Sequence, residues 1–507
     1  MMRIGIDFGT TRVVVAAVDR GNYPIVYFET PDGQMRDWFP PIVAINGDKR
    51  LYGWEAIGVQ DEAGWTILRS PKRALRTAGP KSSLQVEDHS IPLRQLMAEM
   101  MAHLKAQLLE HSNSGAESNE RLEVMLGVPA NANSNQRFMT EEAANAAGFT
   151  VLGLMNEPSA AAIEYAYRNS AERKHRAGGS LLVYDLGGGT FDVSLVRLGE
   201  QEHSVEASDG IPNLGGDDFD EILADLALEI SGVSALLSGN ERRVLLDECR
   251  EKKESLSPNT RKLTIDLERV RPEWEPITFP VDAFYERCRP LVESTKRVTE
   301  ALLAAHPDAQ LDTLYVTGGG SELPPVARVL KEGFGRKVRR SAYMRSASAV
   351  GLAIRASAGV DRLQERFNQN FGIWREAESG GRIVFDLVFP RGMLLPEPGR
   401  PALQVEREYR PAHNIGHFRY LECSKLDDRG QPTGDITNWE QLQFPFDPKL
   451  WDCEDISALP VEWISVGESL LAREEYTCDE SGILRVKIST LPSGRSREFE
   501  IGRLGSR

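Results

Sequence analysis

Two short segments of the sequence each combine an aspartate with glycines and threonines, the residue types that can hold a metal-bound phosphate. The first is residues 7–11, Asp-Phe-Gly-Thr-Thr, and the second is residues 185–190, Asp-Leu-Gly-Gly-Gly-Thr. Glycine lets backbone N–H groups approach a phosphate without a side chain in the way. A carboxylate lies beside a polyphosphate when a hard cation such as Mg2+ sits between them. The pair of segments predicts a phosphate site with magnesium, and the alternative is two unrelated glycine turns.

Each of these segments lies between two apolar stretches that have strand character. Strands are predicted at 3–6 and 13–18 around the first turn, and at 181–184 and 191–198 around the second. A strand, acidic turn and strand unit that recurs at a domain-sized separation indicates two similar lobes that face each other across a cleft. Each lobe would contribute one phosphate turn and one carboxylate.

The other patterns of the first 358 residues alternate between helix and strand, which indicates an α/β architecture. A third glycine turn, Gly318 to Gly320, follows a predicted strand at 314–317 and precedes a helix. Such a strand-to-helix junction allows the backbone to approach a ligand closely. The remaining predicted elements are helices at 91–109, 136–148, 215–230 and 242–256 and strands at 122–128 and 149–154.

The pattern changes after about residue 359, where helical periodicity fades. Alternating strands are predicted at 383–389 and 483–488, and frequent proline and glycine separate them. We therefore expect an α/β domain at residues 1–358, a polar linker at 359–372 and an all-β sandwich-like domain at 373–507.

The composition restricts the partners and the location of the protein. The 507 residues include 75 acidic and 60 basic side chains, a net charge of −15, which repels nucleic acid and anionic membranes. The five cysteines form no CxxC pair and do not suggest a disulfide framework. The longest apolar run near the N-terminus, residues 13–18, is far shorter than the ~20 residues of a membrane span. We expect a cytoplasmic protein that binds neither nucleic acid nor membrane.

Five segments, in order along the chain, resemble the ATPase signatures of the DnaK-type heat-shock chaperones, the 70-kilodalton class. They are residues 7–11, 128–130, 156–162, 185–192 and 215–220. The resemblance implies an actin-like ATPase domain of two lobes over residues 1–358. It also implies ATP or ADP with Mg2+ in the cleft, and a β-sandwich domain after it.

The same resemblance implies roles for individual residues of the cleft. Asp7 and Asp185 would lie near the magnesium ion and its waters, and Lys72 would point at the terminal phosphate. A cation there stabilises the negative charge of the phosphoryl-transfer transition state. The implied catalytic residues are Lys72, Glu157, Thr190 and Asp192. The implied nucleotide-binding residues are Gly9, Thr10, Thr11, Gly187, Gly188, Gly189, Thr190, Gly215, Gly216, Lys253, Ser257, Gly318, Gly319 and Gly320.

The base end of the implied nucleotide site departs from the family pattern. Arg250, Glu254 and Glu322 replace residues that the family usually has there, and Arg345 or Ser346 takes the place of a common aspartate. A cation stacked on the base contributes roughly 0.5 to 2 kcal/mol, so its loss would weaken ATP binding by around tenfold. The resemblance therefore supports binding of the phosphates more strongly than it supports selectivity for adenine.

The C-terminal part resembles the family's peptide-binding β-sandwich over residues 370–373, 414–418 and 479–486. Ile373 is the expected peptide contact. The stretch at 396–413 is shorter than the family's peptide-arching segment, the family linker is replaced, and the chain stops at Arg507 with no helical lid. A lid slows release, so we expect bound peptide to leave quickly.

The sequence thus predicts an ATP-hydrolysing chaperone that binds unfolded or partly folded polypeptide. A J-domain co-chaperone and a nucleotide-exchange factor are further candidate partners. One alternative is a nucleotide-dependent scaffold whose β-domain binds one dedicated folded partner. Another is a small-molecule kinase that uses the same phosphate turns.

Overall fold

The structure, a computed structural model, contains two α/β lobes followed by a β-sandwich. The residues it describes are 1–76, 82–86, 89–169, 179–199, 202–233, 235–357, 362–377, 381–397, 399–439, 441–453, 455–464 and 470–500. No helix among these residues is both long and apolar enough to cross a membrane. All five cysteine thiols are free.

The first lobe comprises the described residues up to 169. Its strands are β1 (Met2–Phe8), β2 (Val13–Ala17), β3 (Phe28–Glu29), β4 (Met35–Arg36), β5 (Ile42–Asn46), β6 (Lys49–Tyr52), β7 (Thr66–Arg69), β8 (Ser83–Val86), β9 (His89–Pro92), β10 (Leu122–Val128) and β11 (Thr150–Asn156). Its helices are α1 (Gly53–Gly58), α2 (Leu93–Glu110), α3 (Ser134–Ala146) and α4 (Glu157–Arg168), with a 3-10 helix at Pro71–Arg76. The main sheet has the order β11-β10-β1-β2, and β1 and β2 form the antiparallel hairpin that the sequence predicts.

The second lobe comprises the described residues from 179 to 346. Its strands are β12 (Ser180–Leu186), β13 (Phe191–Leu198), β14 (Glu202–Ile211), β15 (Lys262–Ile265), β16 (Ile277–Pro280), β17 (Leu311–Thr317) and β18 (Val338–Arg340). Its helices are α5 (Gly216–Ser231), α6 (Gly239–Glu254), α7 (Val281–Ala304) and α8 (Pro324–Phe334), with 3-10 helices at Gly319–Glu322 and Gly335–Lys337. The second predicted hairpin is present as β12 and β13. Each lobe thus carries one copy of the strand, turn and strand unit.

A helix after the second lobe, α9 (Ala347–Ala356), packs back onto α4 and β1 of the first lobe. The contact between the two helices is close because small residues face each other: a Cβ on Gly351 would lie 1.7 Å from the carbonyl oxygen of Ala160. Alanines dominate the buried cluster around this crossing. The crossing holds the start of α4, which carries Glu157, next to the cleft.

The C-terminal domain is a sandwich of two antiparallel sheets, as the sequence predicts. Its strands are β20 (Asn370–Ala377), β21 (Arg382–Phe389), β22 (Leu403–Tyr409), β23 (Ile415–Leu426), β24 (Pro432–Asn438), β25 (Leu442–Pro445), β26 (Leu471–Cys478), β27 (Leu484–Leu491) and β28 (Ser496–Glu500), with a 3-10 helix at Pro448–Leu450. One sheet has the order β21-β20-β23-β24, with β25 also pairing with β23, and the other has the order β22-β26-β27-β28. Phe371, Phe389, Tyr420 and Tyr476 fill the space between the sheets.

The segment predicted to be a polar linker is part of a sheet where the structure describes it. Strand β19 (Arg362–Gln364) pairs in parallel with β14 and extends the second lobe's sheet to the order β18-β17-β12-β13-β14-β19. Phe367 is only 3% exposed, and Arg366 Nε donates to the carbonyl of Val205 over 2.7 Å. The described residues of this segment therefore join the two domains through ladder and side-chain contacts, and the domain boundaries at 358 and 373 stay predictions.

Buried polar contacts also fix the β-domain against both lobes. Ser134, at the start of α3, donates from its backbone N–H to the Glu422 carboxylate over 3.0 Å and from its hydroxyl to the same group. Arg137 Nη1 donates to the carbonyl of Ser481 over 3.0 Å. On the second lobe, Arg391 Nη2 donates to the carbonyl of Ser208 over 2.7 Å. The β-domain is thus docked on both lobes through side-chain contacts, in addition to its covalent connection.

Candidate functional site

The glycine turns of the two lobes meet around one cavity in the cleft. The turn between β1 and β2 supplies Gly9, Thr10 and Thr11, and the turn between β12 and β13 supplies glycines and Thr190 from the opposite side. The third turn, after β17, supplies Gly318, Gly319 and Gly320. The duplicated units therefore face each other as the sequence predicts.

Two glycines of these turns have positions that no other residue could take without displacing a neighbour. A Cβ on Gly188 would lie 2.4 Å from Oγ1 of Thr11, so the two phosphate turns touch across the cleft. Gly318 has φ +84°, a conformation that favours glycine, and a Cβ there would lie 2.4 Å from Oδ1 of Asp185. The turns thus present backbone directly to the cavity.

A cluster of buried carboxyl groups surrounds one lysine at the inner end of the cavity. Lys72, which is 5% exposed, lies with its Nζ 2.8 Å from Oε1 of Glu157. Burial, with the charge of Glu157, raises the pKa of Asp7 to about 7, while Lys72 opposes the shift. Burial likewise raises the pKa of Asp192 to about 7, and it raises the pKa of Asp185 well above its ordinary value. The cluster has too little positive charge for its carboxylates.

The shortage of charge fits a cation that arrives with a phosphate ligand. Mg2+ prefers oxygen ligands and keeps several of its waters. Within the described residues, no three histidine, cysteine or acidic side chains converge closely enough to hold a metal directly. The carboxylate oxygens of Asp7 and Asp185 are donors of the kind that a hydrated Mg2+ prefers.

Strand register explains why Asp185 and Asp192 lie together. The two residues are directly opposite each other in the β12–β13 ladder, so their side chains share one face of the hairpin. The Thr190 hydroxyl hydrogen-bonds Asp192, which partly offsets the effect of burial on its pKa. In the first hairpin the partner of Asp7 is Val14, so that copy carries one carboxylate where the second carries two.

Ion pairs that join the lobes narrow the outer end of the cavity. Arg12 of the first lobe pairs with Glu254, at the end of α6, and Arg345 Nη1 lies 3.1 Å from the same carboxylate. Arg345 Nε also donates to Glu322 over 2.7 Å. We call Arg12, Glu254, Glu322 and Arg345 the ionic clasp. Although burial acts to raise it, the two arginines hold the pKa of Glu254 below its ordinary value.

The cavity is small with the ionic clasp in place. Its volume is about 120 Å3, whereas pockets for drug-sized ligands have roughly 300–1,000 Å3. The clasp residues Arg12, Glu254 and Arg345 line its outer end together with Arg250 and Met344, whereas the inner end is formed by short turns. A nucleoside at this end would have to displace the ion pairs.

Most of the nucleotide-binding positions implied by the sequence come together here. Lys253 lines the cavity, and its Nζ donates to the carbonyl of Gly216 over 2.5 Å. Gly189 and Gly215 support the turn from behind, beside Thr10 and Gly188. Ser257 is exposed, does not line the cavity, and shares a 3.2 Å hydroxyl contact with Thr260. The implied residues that line the cavity are Asp7, Gly9, Thr10, Thr11, Lys72, Glu157, Asp185, Gly187, Gly188, Thr190, Gly216, Lys253, Gly318, Gly319 and Gly320.

The structure adds two residues to the cavity to which no role was assigned from the sequence. Arg12 follows the first phosphate turn directly, and Asp217 follows Gly216. Asp217 pairs with Arg73 of the first lobe over 3.2 Å and with Arg250 over 3.0 Å. Arg12 lies directly after the segment 7–11 and Asp217 lies within the segment 215–220, which was the available signal, but the pairing depends on contacts between segments far apart in sequence.

Ile373, the implied peptide contact, lies in the core of the β-sandwich. It is 2% exposed and borders a cavity of about 730 Å3. Aromatic residues of this cavity include Trp374, Tyr409 and Phe418, and its basic residues include Arg410 and Arg419. The cavity is therefore both aromatic and charged.

Comparisons with known proteins agree with this architecture. The sequence profile of the family described as Hsp70 protein matches residues 3–365. A chaperone protein HscA homolog of Vibrio campbellii is 32% identical over 369 residues, which are 69% of this chain and 57% of that protein. The homologs of Methylibium petroleiphilum (32% identity; 70% of this chain, 57% of that protein) and Actinobacillus pleuropneumoniae serotype 5b (30%; 78% and 64%) are similar.

The matches span about three fifths of the length of these curated relatives. The family profile, over residues 3–365, includes the duplicated phosphate turns, the Lys72–Glu157 pair and the cleft between the lobes, and it ends at the strand that joins the second lobe to the β-domain. With a family profile over most of its length and relatives above 30% identity, this chain belongs to the Hsp70 family.

Proposed function

We propose that this protein binds and hydrolyses ATP and uses the reaction to control the binding of polypeptide by its β-domain. The observation that carries the proposal is the meeting of two phosphate turns, one from each lobe, beside the buried Lys72–Glu157 pair. Catalysis of phosphoryl transfer depends on positioning and on electrostatic stabilisation. Both requirements are supported by the rigid turns and the buried charges.

Each residue of the inner end has a proposed task. Mg2+, bound with the nucleotide, would neutralise phosphate charge, and Asp7 and Asp185 would hold its waters. Lys72 would stabilise charge on the terminal phosphate, while Glu157, Thr190 and Asp192 would orient the attacking water. The water oxygen forms a bond to the terminal phosphorus, and the bond from that phosphorus to the bridging oxygen breaks. One proton of the water stays on the orthophosphate, and the other is released to solvent. ADP and orthophosphate result.

The proposed ligand of the β-domain is an extended or partly folded polypeptide. The relatives' description as chaperones supports this proposal, as does the 730 Å3 cavity beside Ile373. The docking of the β-domain on both lobes supports coupling between the two sites. A J-domain partner, a nucleotide-exchange factor and a cytoplasmic location belong to the same proposal.

Replacement of Lys72 tests the catalytic assignment. Lys72→Ala should lower single-turnover ATP hydrolysis by at least about a hundredfold, because removal of one preorganised donor at developing charge costs on the order of 3 kcal/mol. The measurement is acid-quenched cleavage of radiolabelled ATP with Mg2+. Lys262→Ala, an exposed lysine of β15, is the matched control. Unchanged hydrolysis in the Lys72 variant would refute the assignment.

A further inference from the structure

A second cavity lies on the opposite side of the phosphate turns, between the lobes and the β-domain. Its volume is about 740 Å3. Thr10, Lys72 and Thr190 line it on the cleft side. The β-domain contributes Arg391, Ser424, Lys425 and the residues 434–438 of β24. We call this cavity the interdomain chamber.

The interdomain chamber and the nucleotide cavity share one wall. Thr10, Lys72 and Thr190 border both spaces, and Asp192 borders the chamber. These are the residues placed around the terminal phosphate in the proposed function. An orthophosphate formed there is thus separated from the chamber by these side chains, whereas a path through the outer end would have to pass ADP and the ionic clasp.

Four cationic side chains line the chamber: Lys72, Arg73, Arg391 and Lys425. Lys72 and Arg73 pair with carboxylates that lie outside the chamber walls. Arg391 donates to two carbonyl oxygens, those of Ser424 at 2.9 Å and Ser208 at 2.7 Å. Within the described part of the chain, Arg391 and Lys425 take part in no ion pair. The described acidic residues of the walls are Asp192, Asp209 and Asp435.

We propose that the interdomain chamber is the exit path and transient binding site of the orthophosphate released by ATP hydrolysis, with the docked β-domain as its outer wall. This inference rests on the proposed function. Because β23 and β24 supply the wall, movement of the β-domain away from the lobes opens the chamber. Phosphate release, and therefore completion of the cycle, depends on whether the β-domain is docked.

The test compares ATP cleavage with phosphate release in single turnovers of the full-length chain. Quenched samples report cleavage, and a fluorescent phosphate-binding sensor reports release. Lys425→Glu should lower the ratio of the release rate to the cleavage rate by about fivefold, the order expected for reversal of one partly screened charge near the path. Lys337→Glu, an exposed lysine of the second lobe without an ion pair among the described residues, should keep the wild-type ratio.

A double variant shows whether the docked β-domain matters. Glu422→Ala removes the acceptor of both Ser134 hydrogen bonds, so it should speed release and abolish the effect of Lys425→Glu. Equal ratios in Lys425→Glu and Lys337→Glu, or an effect of Lys425→Glu that persists with Glu422→Ala, would overturn the chamber assignment. Absence of ATP cleavage in the wild-type chain would instead refute the proposed function and the exit path together.

The chamber also predicts binding of inorganic phosphate without catalysis. Equilibrium dialysis of labelled orthophosphate with the full-length protein should show at least about fivefold weaker binding to Lys425→Glu than to Lys337→Glu, by the same charge argument. High salt should reduce the difference, because screening weakens exposed charges first. Identical binding by the two variants would count against the site.

Discussion

At the scale of single residues, the ionic clasp closes the outer end of the cleft in which the nucleotide is proposed to bind. Arg12 also lies over the ring of Trp38, with its guanidinium carbon 4.8 Å from the ring centroid, so its position is fixed from two sides. Glu254 receives both arginines. The four charged side chains of the clasp are thus joined in one chain of ion pairs, from Arg12 through Glu254 and Arg345 to Glu322.

Replacement of Glu254 should therefore ease the entry of nucleotide. Glu254→Gln removes the carboxylate shared by Arg12 and Arg345, and partly exposed ion pairs are worth roughly 0.2–1 kcal/mol each. We expect about threefold to tenfold faster association of a fluorescent ATP analogue in stopped-flow experiments. In the wild type, added salt should raise the association rate.

The control for this prediction is Glu241→Gln. Glu241 lies at the start of α6, away from the cleft, and pairs with Arg271. The control variant should associate at the wild-type rate. Equal association rates for the Glu254 and wild-type proteins would show that the clasp does not limit entry.

The inner end of the cleft could be predicted from sequence, whereas the clasp could not. Asp7, Lys72 and Asp185 lie in or near motifs whose residue types already specify phosphate and metal chemistry. Arg12 and Glu254 come from different lobes, 242 positions apart in the chain, and only the folded arrangement pairs them. Ser257 fits the motif spacing, but the chain after α6 turns it toward Thr260 and solvent.

At the scale of elements, the start of α3 is the main contact of the β-domain with the first lobe. Asn133 caps this helix by accepting from the backbone N–H of Gln136 over 2.9 Å, which leaves the N–H of Ser134 free to reach Glu422. Burial raises the pKa of Glu422 to about 7, although Ser134 and the charge of Arg137 oppose the shift. The docking contact therefore includes a carboxyl group that titrates near neutral pH.

Docking should weaken as the pH rises through about 7. The pKa of Glu422 is raised in the docked state, so this state binds more protons than the undocked state between the ordinary pKa and about 7. The contribution of Glu422 is complete at low pH and is lost on the alkaline side. Small-angle X-ray scattering should show a larger radius of gyration at pH 8 than at pH 6.

Glu422→Gln should reduce this pH dependence. Part of the pH dependence should remain in this variant, because burial also raises the pKa of Glu365. Glu480→Gln, which alters a carboxylate that contacts Gly399 within the β-domain, should leave the wild-type pH dependence. A steeper change in the Glu422 variant would contradict the assignment.

The hairpins, the helices α2, α3, α5 and α6 and the β-sandwich could be predicted because their periodicity is local, whereas the long helix α7 was not predicted. Strand β19 could not: it is three residues long, lies in a polar segment, and gains its pairing from β14, which is distant in sequence. The same holds for α9, which packs on β1 from the far end of the α/β region. Short elements of this kind are specified by their neighbours and not by their own pattern.

At the scale of the whole molecule, a strongly acidic protein carries a β-domain cavity with unpaired arginines. The net charge is −15, yet Arg410 and Arg419 both line this cavity, and neither forms an ion pair within the described residues. Of the three acidic wall residues, Asp386 pairs with Arg375 and Arg407, Glu408 pairs with Arg473, and Glu376 shares the wall with Arg410 and Arg419. The local charge therefore favours a polypeptide segment with acidic side chains beside apolar ones.

Peptide preference should reflect this charge. An unfolded peptide with two glutamates should bind the full-length protein more tightly than the same peptide with two lysines, by about tenfold at low salt, because two partly exposed pairs contribute roughly 0.5–1 kcal/mol each. Fluorescence anisotropy measures both affinities. The double variant Arg410→Glu, Arg419→Glu should reverse the order.

The matched control is Arg339→Glu, Arg340→Glu, since both residues are exposed on β18 of the second lobe. This control should keep the preference for the acidic peptide. Equal affinity of the wild type for both peptides would exclude a charge-selective groove.

The contact between Gly188 and Thr11 has a mechanical consequence. It places the two lobes nearly in touch at the phosphate turns, whereas the ionic clasp joins them at the outer end of the same cleft. The phosphate turns therefore lie at the hinge of the cleft, and the ionic clasp lies at the end farther from that hinge. A small rotation of the lobes about this hinge would produce its largest displacement at the ionic clasp. Such a rotation would release a base while the contacts of the turns with the phosphates hardly change.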